Sequence, residues 1–232
     1  MAFRYEPGRG FRKVLGTRGR FEQRPERSSA VDKFLSGLAL VCACGSWLAP
    51  AGPLDTGGKE GNRSFYVHVY NYAKVDHKVL AWAEEKAARL FLQAGVEPIW
   101  VTCPLSQQEI DQYPKCHETK GLILNIRPEA GLKTTQRNHE FGFALQTTAY
   151  VFAGSLKGIV QSGVGSWPIV LGHVIAHEIG HLMLGTDSHS SDGVMRARLG
   201  PEDWRRASVG QLSFNASQRE RIRSFVAQVE PA

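Results

Sequence analysis

Residues 173–195 read "HVIAHEIGHLMLGTDSHSSDGVM", four histidines, two aspartates and a glutamate within an otherwise apolar run. The first part of this stretch predicts a helix. Pro168 opens "PIVLGHVIAHEIGHLMLG", and Gly185 stands where a helix stops. On that helix His177 and His181 are one turn apart, so both rings reach toward one point. Glu178 lies between them in sequence but projects about 100° further round the axis. The remaining positions are those of a core helix. Unpaired imidazoles and a carboxylate would be costly there, so this polar stripe implies a ligand.

The pattern H-E-x-x-H on a helix is an arrangement that holds zinc, with the glutamate as general base. A catalytic zinc site takes three protein ligands and keeps one position open. The ion acidifies a water molecule, and a carboxylate such as Glu178 accepts the proton during attack on a carbonyl. His173, one turn earlier, is expected at the rim, since two ligands already come from this helix. Beyond the helix the third ligand has three candidates: His189 in "GTDSHS", Asp187 just before it, and Glu202 in "GPEDWRRAS".

At this point the stretch resembles the metzincin zinc endopeptidases, whose pattern is HExxHxxGxxH followed by a tight turn with a methionine beneath the metal. His177, Glu178 and His181 match it, Gly185 resembles the turn glycine, and Gly193-Val194-Met195 resembles the methionine turn. Gly185 falls four residues after His181 rather than three, and His189 four after Gly185. Strict counting would place the third ligand at Asp187. The resemblance favours His189 instead, because the glycine sets where the chain reverses and a loop absorbs two extra residues. Imidazole also suits zinc. The strand "TTAYVFAG" around Tyr150 is then either the edge strand above the cleft, able to pair with an extended peptide, or an ordinary sheet strand.

Toward the N-terminus, "SFYVHVYNYAKV" alternates as a strand does. "DHKVLAWAEEKAARLFLQAG" predicts a helix capped by Asp76, with Leu80, Ala83, Ala87, Leu90 and Ala94 on one face. "VEPIWVTC", "GLILNIRP" and "QTTAYVFAG" predict three further strands. Gly and Ser cluster at residues 154–166, before the histidine helix. A last helix, "NASQRERIRSFVAQV", is capped by Asn215 with Gln218 three later. A long helix between the first two strands predicts a crossover and a parallel pair. The resulting class is α+β: a metzincin-like small catalytic domain with a twisted mixed sheet, a crossover helix, an active-site helix and a C-terminal helix.

The net charge of +6 comes mostly from the head: residues 1–51 carry nine Lys or Arg against four acids, and the remainder 19 against 18. That head lacks the aromatic interleaving of a nucleic-acid surface, so no nucleic-acid partner is expected. "KFLSGLALVCACGSWLAPAG" instead reads as a signal peptide ending at Ala49-Pro50-Ala51. The long basic stretch before it suggests a true start near Val31. A lipoprotein anchor at Cys44 is the alternative. Export would leave Cys103 and Cys116, an even pair in a polar loop, to form one disulfide.

These readings divide the chain into a leader at 1–51, a linker at 52–63 and a catalytic domain at 64–232. They imply an exported zinc metallopeptidase acting on peptide or protein substrates, with no stable membrane span once the leader is removed. Two alternatives share the same motif: a zinc-stabilised binding protein without turnover, and a zinc amidase acting on a non-protein bond.

Overall fold

The structure is a computed structural model and describes residues 4–5, 63–118, 120–129 and 141–229. The leader at 1–51 and the linker at 52–63 therefore lie outside the described residues, apart from Arg4, Tyr5 and Arg63. The candidate start at Val31 and the candidate lipid site at Cys44 lie outside them too.

Strand β1, Arg4–Tyr5, pairs in parallel with β7, Arg198–Leu199. The main sheet begins at β2, Arg63–Asn71. From there α1, His77–Leu92, crosses to β3, Val96–Thr102, which lies parallel to β2 with Tyr66 opposite Ile99. That is the parallel pair the long crossover predicts. After the short helix α2, Gln107–Ile110, comes β4, Leu122–Arg127, parallel to β2 on its other side. Strand β5, Gly142–Leu145, turns back into β6, Thr148–Phe152, and pairs with it antiparallel. Strand β6 runs parallel to β4, giving the order β3-β2-β4-β6-β5. Tyr150 thus sits in an interior strand, and β5 takes the edge.

Four helices follow: α3, Ala153–Gln161; α4, Trp167–Leu184; α5, Pro201–Ser208; and α6, Ala216–Val229. The mixed sheet, the crossover helix, the histidine-bearing helix and the C-terminal helix are those the sequence implies.

Local chemistry accounts for these boundaries. The Asp76 carboxylate accepts from the Lys78 and Val79 amides, at 2.9 and 3.2 Å, and starts α1. The expected face of that helix, Leu80, Ala83, Ala87 and Leu90, is buried, and Phe91 joins it. At α6 the Gln218 amide donates to Asn215 Oδ1 at 2.9 Å, and the Asn215 amide to Gln218 Oε1 at 3.0 Å, a reciprocal cap. Helix α3 is one the sequence hid among its small residues. Gly154 and Gly158 lower its intrinsic propensity, but Leu156 and Ile159 are buried in the core, and packing outweighs propensity in short helices.

Cys103 and Cys116 form a disulfide with a Cα separation of 5.7 Å. It closes a loop of 13 residues' separation between β3 and β4. A bridge of this span restricts the unfolded chain by about 3 kcal/mol. Replacing both cysteines by serine should lower the thermal midpoint accordingly. An unchanged midpoint in the variant, with the wild-type bridge verified by intact mass, would show that the loop is held by other contacts. Such a bond fits a non-reducing compartment. Among the described residues no helix is long and apolar enough to cross a membrane.

Candidate metal centre

Helix α4 carries the site because it is buried on nearly every side. Helices α1 and α6 and strands β5 and β6 pack on it, and its residues from Val170 to Leu184 are buried except for Leu182. The helix ends at a residue that takes the backbone out of the helical region. Gly185 does so with φ of 92°, a left-handed conformation that favours glycine, while its amide donates to the His181 carbonyl at 2.9 Å.

The loop after Gly185 brings a third ring back to the helix. His181 Nε2 lies 3.0 Å from His177 Nε2 and 3.1 Å from His189 Nε2. The ligand atoms of these three residues all fall within 4.8 Å of one another, making a group that could hold a metal ion. Zinc–nitrogen bonds of about 2.0–2.1 Å in a tetrahedron place nitrogens about 3.3 Å apart, so the spacing suits that ion. The protonation pattern fits as well. His177 Nδ1 donates to the Val194 carbonyl at 2.8 Å, which leaves Nε2 bare toward the cluster.

The same loop is braced from three directions. The Ser190 amide donates to the Met195 carbonyl at 3.0 Å, and the Val194 amide to the Ser213 carbonyl at 3.0 Å. Arg196 Nη1 straddles the buried Asp203 carboxylate of α5 at 2.9 and 2.7 Å. Gln218 of α6 donates to Ser190 Oγ at 3.1 Å. Met195 is fully buried beneath the helix: a methyl group at Gly180 would come within 2.7 Å of its sulfur.

Glu178 is fully buried and faces the edge strand. Gly142 of β5 sits so close that a Cβ there would lie 2.8 Å from the glutamate Cδ and 2.3 Å from the Tyr150 carbonyl. Only glycine allows this approach.

Burial sets the electrostatics. It pushes the His177 imidazole well below its ordinary range, with His181 adding repulsion, and it lowers His189. His181 and His173 each fall from 6.5 to about 4, again chiefly through burial. These groups are neutral in the fold and bind protons more readily once unfolded. Their contribution to stability is therefore present above pH 6.5 and lost as pH falls toward 4. Glu84 on α1 works in the opposite sense. Burial raises its carboxyl from 4.5 to about 7, so its contribution is full below pH 4.5 and lost as pH rises. Two histidines with shifts as large as that of the single glutamate outweigh it. Metal-free protein should melt at a lower temperature at pH 5 than at pH 7, and the opposite order would mean that the histidines are not neutral in the fold.

Of the residues singled out from sequence, His177, His181 and His189 converge, and Glu178 lies on the helix that carries the first two. Asp187 is exposed and outside the cluster, though its charge reaches His181 and His189. Glu202 is exposed on α5 and paired with Arg205. His173 is buried one turn below, its Nδ1 donating to the Ile169 carbonyl at 2.8 Å, and is outside the cluster. Sequence reasoning missed Ser188, Ser190, Arg196, Asp203 and Gly142. For Asp203 a signal existed, since Gly200-Pro201 followed by acids marks a helix start, and its carboxylate caps the Gly200 amide at 2.9 Å.

No family model matches the sequence, and no curated protein matches it. Solved structures do match. Among them is the crystal structure of archaemetzincin from Methanopyrus kandleri, 13% identical, with a TM-score of 0.46 over 73% of this chain and 98% of that one.

Proposed function

We propose that the chain is an exported zinc metallopeptidase whose catalytic domain spans residues 64–232 behind a removable leader at 1–51. One observation carries the reading: three imidazoles converge within 4.8 Å, and the helix that bears two of them also bears a fully buried glutamate. In this reading His177, His181 and His189 hold the ion. Bound zinc supplies a Lewis acid that lowers the pKa of water to near neutrality. The buried Glu178 carboxylate would be the proton acceptor for the attacking water and would pass that proton to the leaving amine. Strand β5 lies at the sheet edge against Glu178, where an extended peptide could add as a further strand. The paired cysteines and the basic, apolar head support export.

The test is metal content of the purified protein together with cleavage of a mixed peptide library. Zinc near one equivalent and chelator-sensitive cleavage are expected. Substituting His189 by alanine should deplete zinc far more than substituting Asp187, because imidazole 189 lies inside the cluster and carboxylate 187 outside it. The reverse order would move the third ligand to Asp187. Hydrolysis that survives verified removal of metal would overturn the mechanism.

A further inference from the structure

Ser188 precedes His189 in the chain and touches a different histidine. Its Oγ lies 3.0 Å from His181 Nδ1. The Gly185 carbonyl is 3.3 Å from the same nitrogen, so the hydroxyl is the nearer of two acceptors. Between Gly185 and His189 the chain exposes Thr186 and Asp187 and buries Ser188. The loop is thus turned to aim this one side chain inward. On its other edge the His181 ring meets both partners, since its Nε2 is the atom close to His177 and to His189. A ring nitrogen facing a cation must be bare, so the opposite nitrogen must carry the proton and give it to an acceptor. His177 has the Val194 carbonyl for this purpose; for His181 the nearest acceptor is a side chain that mutation can remove.

We propose that Ser188 is a positioning residue of the metal centre: its hydroxyl accepts the His181 Nδ1 proton, keeps Nε2 bare, and ties the second ligand to the third through the Ser188–His189 peptide. The proposal rests on the zinc reading above.

The experiment compares wild type, Ser188→Ala, Ser188→Thr and His177→Ala as full-length proteins. Zinc affinity is read by competition with a chromophoric chelator, cobalt(II) spectra report the ligand geometry, and circular dichroism checks the metal-free folds. Ser188→Ala should weaken zinc by about 10- to 100-fold and shift the cobalt bands. Ser188→Thr keeps the hydroxyl and should restore both. An alanine variant with wild-type affinity and spectrum overturns the proposal. So does a folded threonine variant as weak as alanine, since the hydroxyl would then be irrelevant. If wild type itself binds zinc no better than His177→Ala, the metal reading has failed and this inference falls with it, a result distinct from failure of Ser188 alone.

Discussion

Glu178→Gln is expected to leave zinc bound while hydrolysis falls by about 10²- to 10⁴-fold, the usual contribution of a general base. The amide has nearly the shape of the carboxylate, so the tight contact with Gly142 is kept and the helix does not move. What is lost is the ability to accept a proton. None of the three clustered histidines is touched, so metal content measured by mass spectrometry should match wild type. Turnover equal to wild type would remove Glu178 from the chemistry. Metal bound equally by both proteins with no hydrolysis of any peptide or amide by wild type would favour a zinc-stabilised binding protein instead. Cleavage confined to non-peptide amides would favour the amidase.

His177→Ala should produce the complementary result, loss of the metal itself. His177 is fully buried, and its Nδ1 is bonded to the Val194 carbonyl. Alanine would remove one of the three proposed ligands and leave that carbonyl without its donor, at a cost of about 1–3 kcal/mol for a buried polar group. Wild type saturated with a metal at a thousand times its dissociation constant gains about 4 kcal/mol that the variant forgoes. Zinc should therefore fall far below one equivalent, and the thermal midpoint should drop well below that of wild type with zinc. Adding zinc should raise the wild-type midpoint and leave the variant's nearly unchanged. Equal zinc occupancy in the two proteins would sink the site.

Much of this was legible in the residues because helices advertise their period. The face of α1, its Asp76 cap and the Asn215–Gln218 cap of α6 depend on neighbours within a turn, and all are as the local pattern implies. The His177–His181 pair is local in the same sense. Elements lacking their own period were harder to read. Helix α3 is stabilised by what it packs against rather than by its composition, and β5 is four residues whose strand character comes from pairing with β6. For the same reason Tyr150 could be placed on a strand, but not assigned to the edge or the interior.

By itself, then, the sequence determined a buried helix with two histidines on one face and a glutamate beside them, since a spacing of four residues sets side-chain direction wherever the backbone is helical. It also determined that the chain leaves that helix at Gly185. The tertiary structure alone decided which residue of the following loop meets those two rings. Counting favoured Asp187 and chemistry favoured His189, and the loop's sequence alone does not choose between them. The choice is made by distant partners: Arg196 on Asp203, Ser190 on Gln218 and Val194 on Ser213 hold the loop in the turn that points His189 inward and leaves Asp187 in solvent. A loop's side-chain directions follow from its anchors, and these anchors lie in α5, in the segment before α6 and in α6 itself.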